Sequence, residues 1–229
     1  MKRSRKTVVK RSVGRPSADS SYEVDKAILE AASSVFLEKG FEAATMTEIA
    51  KRASSSKQTL YTRYPSKEAL YAGLMKSRAQ ELLSAVSPFF ADGGKPGDVL
   101  RRFGRTIVDT YVNSDYQRLL RMMIAEVELF PDLALSFFEM GPGRGRKILR
   151  TYLSEQAQKG ILTVPNVEVA AEQLLGSLSG GLMIRSTLGL PPLLKNDADI
   201  EQWVEIAVAN FLKPTVDVSN GWRIPTWIH

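Results

Sequence analysis

Apolar residues recur at helical spacing along nearly the whole chain, and no stretch alternates as a pairing strand would. Val24, Ile28, Ala31, Ala32, Val35 and Phe36 share one face of a first helix, and Ser20 and Glu23 have the spacing of a capping box at its start. Gly40 should end that helix in the left-handed conformation, letting Phe41 fold back onto Phe36 in a Schellman-type cap. A second helix opens at Thr45, with Glu48 completing another capping box, and turns Ile49, Ala50 and Ala53 inward. Ser54, Ser55 and Ser56 favour a turn and an N-cap over helix interior. A third short helix is therefore predicted over 56–61, anchored by Leu60 and Tyr64. Pro65 ends it, and Ser66 caps a fourth helix that faces Leu70, Leu74 and Leu82 to the core.

Two prolines and three glycines in residues 87–98 predict a loop. Beyond it, Leu100, Phe103, Ile107 and Tyr111 lie on one helix and residues 119–129 form another. Pro131 opens a further helix, interrupted at 141–145 and resuming to Lys159, with Gly160 as its stop. Residues 167–188 read as one long apolar helix, and Ile200, Val204, Ala207, Val208 and Phe211 as a final amphipathic one ended at Pro214. The fold class is all-α, with an N-terminal three-helix DNA-binding domain of the helix-turn-helix kind and a C-terminal helical bundle. The expected boundaries are a basic flexible arm at 1–19, the helix-turn-helix domain at 20–67 (motif 45–64), a sensing and dimerising domain at 68–213, and a tail at 214–229.

Composition narrows the chemistry. With 229 residues the chain is long enough to bury a core without staples. No apolar run is long enough to span a bilayer, and the N-terminus lacks the apolar stretch of a secretory signal, so a cytoplasmic protein with no membrane partner is expected. There is no cysteine, and the single histidine is His229. Ser-His-Asp and Cys-His catalysis and the usual His- or Cys-rich metal sites are thereby excluded, and no enzyme activity, metal or cofactor is expected. Residues 141–147 are rich in glycine and cations but lack the spacing of a phosphate loop, and no strand precedes them.

Charge is placed unevenly. Seven of the 31 basic residues precede the first acidic one, Asp19, which leaves 24 basic against 25 acidic residues in the rest. A basic arm on a near-neutral body suits a nucleic-acid or anionic-membrane contact, or a solubilising tail. The helix-turn-helix pattern that follows favours nucleic acid. Its alanines allow close crossing, and its second helix would expose Lys57, Gln58, Thr59, Tyr61 and Arg63, the donor types that read grooves and phosphates.

The run TMTEIAKRASSSKQTLYTRYPSKEAL at residues 45–70, the upstream Phe36-x-x-x-Gly40-Phe41 and the Gly14-Arg15-Pro16 of the arm together resemble the DNA-binding domain of the TetR family. The resemblance implies that residues 56–61 are the recognition helix, with Lys57, Gln58, Thr59 and Tyr61 against base edges and phosphates. It places Thr47 and Lys67 on backbone phosphates, Lys67 at a helix N-terminus that itself favours an anion. Arg11 and Arg15 of the arm would add contacts. Two departures stand out: Ser54-Ser55 replaces the family's usual Gly-Val, and Arg63-Tyr64 replaces an aromatic or His-Phe pair. The turn should still form without its apolar plug, and Arg63 adds a cation at a contact position.

The C-terminal two thirds resembles the AefR-like branch around Ile124, Phe130-Pro131-Asp132-Leu133-Ala134 and Gly141-Pro142-Gly143-Arg144. The family's apolar ligand pocket would draw here on Phe103, Ile107, Tyr111, Met122, Met123, Phe137, Phe138 and Tyr152, residues that also suit an ordinary core. Gly176, Gly180 and Gly181 each cost a helix about 1 kcal/mol against alanine, and close helix approach would offset that. They are assigned, with Val204, Val208 and Phe211, to a homodimer interface; lining the ligand site is the alternative. The chain thus reads as a ligand-responsive regulator, a repressor that binds a palindromic DNA operator as a dimer and is released by a small apolar or amphipathic effector. A sequence-neutral DNA-packaging protein, or a helical enzyme or carrier with a vestigial helix-turn-helix, would be the alternatives.

Overall fold

The computed structural model describes residues 18–213 apart from 92 and 129, so the expected arm contacts Arg11 and Arg15, and the tail, lie outside the described residues. Every element among the described residues is helical. Helix α1 (Ala18–Ala43) begins before Ser20, so the expected capping box does not form its boundary. Gly40 breaks α1 as expected, but its φ of 81° and ψ of 172° lie in a region that essentially only glycine populates, not in the left-handed helical well of a Schellman cap. Phe41 does fold back, stacking on Phe36 at 5.6 Å between ring centroids, and Tyr71 meets both rings edge-on.

Helices α2 (Met46–Arg52) and α3 (Lys57–Arg63) follow, and α4 (Lys67–Ala91) is long enough to serve two cores. Its first turns bring Leu70, Tyr71, Leu74 and Met75 to a core with Ile28, Phe36, Ile49 and Leu60, while Val86 reaches a second core built on later helices. The loop expected from residue 87 starts late, because α4 continues through Pro88 to Ala91. An interior proline costs about 3 kcal/mol. Val86 is buried and Phe89 and Phe90 pack against the second core, at about 1.5–3 kcal/mol for each side chain fully removed from water, which offsets that cost.

Pro96 at the first turn starts α5 (Pro96–Val112). The next helix, α6 (Ser114–Ala125), lies earlier than the predicted 119–129 because the Asn113 side chain accepts from the Tyr116 amide and caps it. The expected break falls at Gly141, between α7 (Pro131–Met140) and α8 (Pro142–Gln158). The single helix predicted over 167–188 is instead α9 (Val167–Leu175), a π-helical turn over Gly176–Gly180, and α10 (Gly181–Thr187). Glycine and serine in that turn tolerate the wider winding. Last comes α11 (Asp197–Leu212), packed on α5. No described helix is long and apolar enough to cross a membrane.

Candidate nucleic-acid interface and ligand cleft

The helix-turn-helix is built from caps and one strained residue. Thr45 accepts the Glu48 amide at 3.3 Å, but the Glu48 carboxylate pairs with Lys39 at 2.7 Å, so only half of the expected capping box is used. At the other end of α2, the Ser55 amide bonds to Ala50 O and the Ser54 amide to Lys51 O. That is a Schellman cap, with Ser54 in the left-handed position at φ 50° where glycine is usual. Ser56 then caps α3 by accepting the Thr59 amide at 2.9 Å, and its hydroxyl also bonds that of Thr59 at 2.8 Å. The Tyr64 amide closes the last turn on Leu60 O, so α3 runs two residues past the predicted end.

Burial of Leu60 turns the opposite face of α3 outward. Lys57, Gln58 and Tyr61 (48% exposed) share that face, Thr59 is half-buried beside them, and Thr47 of α2 is exposed as well. The heads of Lys57, Gln58 and Tyr61 have no hydrogen-bond partner among the described residues. Two expected contact residues behave differently. Arg63 turns back to α1, 2.5 Å from Asp25 and donating to Ser21 at 3.0 Å. Lys67 donates to Glu42 O at 3.0 Å, with its ammonium 4.6 Å from the centre of the Phe41 ring. Both therefore brace the unit. Asp25 also accepts from the Tyr64 hydroxyl, and burial first, then the Asp25 charge, raises the Tyr64 pKa. Tyr64 sits where a Cβ on Gly73 would come within 2.5 Å of its ring, so Gly73 makes its seat. No sequence signal tied Asp25 or Gly73 to this motif.

A cleft of about 670 Å³, counting its open mouth, lies among α4, α5, α6, α7, α8, α9 and the π-helical turn. Four of the expected pocket residues line it: Phe103, Ile107, Tyr111 and Phe137. The structure does not bring the other four there. Met123 is buried in the first core and Met122 packs against that same core, since α6 runs under α1. Tyr152 is buried beside Phe90 in the second core, and Phe138 is half exposed with the Arg146 guanidinium over its ring. The pattern missed α4, which contributes Arg78, Leu82 and Val86, and also missed Tyr116 and Arg146. The turn read as a mere helix break supplies Gly141, whose added Cβ would lie 3.0 Å from that of Ala79.

Among the described residues, and apart from the helix's own backbone, nothing lies within 4 Å of a Cβ placed on Gly176, Gly180 or Gly181, so the close approach expected there is not made inside the described part of one subunit. The tight crossing is at Gly104 of α5, where a Cβ would sit 3.1 Å from both Leu178 and Val204. Val204 and Val208 face this crossing and the second core, so they are unavailable to a second chain, and Phe211 packs against the same core. The apolar side chains left open nearby include Met183, Ile184 and Leu188 on and just beyond α10, and Ile206 on α11.

Residues 98–214 match the AefR-like transcriptional repressor C-terminal domain, and residues 28–74 match the bacterial regulatory proteins of the tetR family. The chain belongs to the TetR family. It is a helix-turn-helix transcriptional regulator, as the pattern over 45–70 implied. Among solved TetR-family structures, the flavonoid-responsive regulator FrrA is 34% identical with a TM-score of 0.66, over 84% of this chain and 96% of that one. A regulator from Mesorhizobium loti MAFF303099 shares the fold at a TM-score of 0.77 and 24% identity, over 84% and 96% of the two chains. The HTH-type transcriptional regulator YvkB of Bacillus subtilis (strain 168) is 24% identical over 165 residues, 72% of this chain and 84% of that protein.

Proposed function

We propose that this TetR-family protein is a dimeric repressor that grips a palindromic operator and lets go when a small apolar or amphipathic molecule enters the cleft. The observation that carries the reading is the outward face of α3, whose Lys57, Gln58 and Tyr61 heads are unpartnered among the described residues while the helix itself is braced to α1 through Arg63. A reader held in this way loses little conformational freedom on binding. Lys57, Gln58, Thr59 and Tyr61 would meet base edges and phosphates, Thr47 the backbone, and Arg11 and Arg15 of the arm further phosphates, while Lys67 braces the start of α4 on Glu42 O. Arg63 orients α3 and lends its charge from behind.

The open face at Met183, Ile184, Leu188 and Ile206, beside the uncrowded glycines, is where a second copy would pack. Two-fold symmetry would then set the recognition helices one DNA turn, about 34 Å, apart. Helix α4 gives this reading its mechanism, because it starts at the helix-turn-helix, passes through the first core and lines the cleft. A ligand that binds the cleft better when α4 is tilted lowers DNA affinity by its difference in affinity for the two states, and by no more. The responsiveness of FrrA to a small molecule supports this part. No catalytic step enters.

DNase footprinting on the DNA flanking the protein's own gene, with and without a Tyr61→Ala, Arg63→Ala double variant, tests the reading. The expected result is a discrete two-fold symmetric footprint that survives competitor DNA and disappears in the variant. Diffuse protection indicates sequence-neutral packaging, and an unchanged footprint in the variant removes α3 as the reader.

A further inference from the structure

The charged side chains on the cleft wall are Arg78 and Arg146, and no Asp, Glu or Lys lines it among the described residues. The rest is mainly apolar, with Tyr111, Tyr116 and Ser179 as its uncharged polar side chains. Ser179 spends its hydroxyl on Leu175 O at 2.8 Å. Arg146 binds protein through Nε alone, donating to Glu172 at 2.7 Å, while its plane lies over the Phe138 ring at 5.2 Å. Its two terminal nitrogens have no hydrogen-bond partner among the described residues, so a stacked, oriented fork is left open to an acceptor. The Tyr111 and Tyr116 rings pack edge to face at 5.8 Å, and neither hydroxyl has a protein partner among the described residues. Burial raises the pKa of both phenols, which keeps them as donors, and the Arg146 charge is close enough to oppose that shift at Tyr111.

We propose that the cleft selects a small amphipathic anion, with its apolar body between Phe103, Ile107 and Phe137 and its carboxylate, sulfonate or phenolate on Arg146. Tyr111 and Tyr116 donate to the same group, and Arg78 supplies a second positive charge. An acceptor placed there recovers the hydrogen bonds that sparsely solvated donors otherwise forgo. The Glu172 pair is no obstacle, because it is solvent-exposed and such pairs contribute little. This inference rests on the cleft being the effector site.

Two fluorescent probes of nearly the same shape separate the questions: 8-anilinonaphthalene-1-sulfonate, an anion, and N-phenyl-1-naphthylamine, its neutral counterpart. Full-length protein should bind the anion at least about tenfold more tightly. Arg146→Gln should bring the two affinities within about twofold by weakening the anion alone, a charge-assisted contact being lost. Glu172→Gln breaks the same surface pair yet leaves the guanidinium, and it should keep the preference, which a merely structural role for Arg146 would not allow. Equal affinities in the wild type, or a preference that survives Arg146→Gln, overturn the proposal. Gly145→Phe tests the site itself, since among the described residues a Cβ at this cleft residue meets nothing within 4 Å and the ring can occupy the cleft. If neither probe binds, or if Gly145→Phe leaves binding unchanged, the effector-site reading falls, a different outcome from losing the anion preference alone.

Discussion

Among the described residues three helices end in the same hydrogen-bond pattern, and only one of these does so without glycine. The amides of Gly160 and Ile161 return to Ala157 O and Gln156 O, those of Gly189 and Leu190 to Ser186 O and Arg185 O, and those of Ser54 and Ser55 to Lys51 O and Ala50 O. The left-handed residue has φ 69° at Gly160, 66° at Gly189 and 50° at Ser54. Ser54 is exposed, and its hydroxyl has no hydrogen-bond partner among the described residues, so its side chain contributes little beyond its Cβ. Holding an L-residue left-handed costs about 1–2 kcal/mol. Glycine removes that cost but gives the unfolded chain about 0.5–1 kcal/mol of extra conformational freedom. Ser54→Gly should therefore stabilise the protein by about 0.5–1 kcal/mol, or raise Tm by about 1–4 °C for a chain of this size. Ser54→Ala, which keeps the Cβ, should give no such gain. Urea unfolding at fixed protein concentration measures the difference as a shift in midpoint at constant slope. If Ser54→Gly is no more stable than Ser54→Ala, the left-handed strain at this turn is refuted.

Asp25→Asn removes the charge that holds Arg63, a partly exposed pair, so stability should fall by less than about 1 kcal/mol. Operator binding followed by fluorescence anisotropy should nevertheless weaken severalfold as α3 loses its brace, and unchanged binding would show that Arg63 orients nothing. Ile184→Asp with Ile206→Asp, at positions 59% and 53% exposed, should leave the fold intact and shift sedimentation from dimer to monomer. A dimer that persists in this double variant places the interface on another face.

Most of the local architecture was legible because it is encoded over a few residues. Helical periodicity, the Thr45, Ser56 and Ser66 caps, the breaks at Gly40 and Gly141 and the outward polar face of α3 all arise from neighbours within a turn or two. Local signals misled where distant packing overrode them, as at Pro88, where the buried Val86 and the packed aromatic residues beside it carry the helix onward. Only four of the eight residues expected around a pocket line the cleft, for a related reason. Periodicity marks Met123 and Tyr152 as inward, but only the crossing of α6 under α1 and the seat beside Phe90 decide that inward means core and not cleft. Likewise Val204 and Val208 point inward onto α5, and the tight glycine proved to be Gly104. The sequence by itself determined the helices, the helix-turn-helix and the family. Tertiary structure alone decided that Arg63 and Lys67 are spent on Asp25 and Glu42 while Lys57 has no partner among the described residues, and it alone brought Arg78 and Arg146 to one cleft. Partnership of that kind depends on which helices cross, and crossing is a property of the whole fold that no window of residues contains.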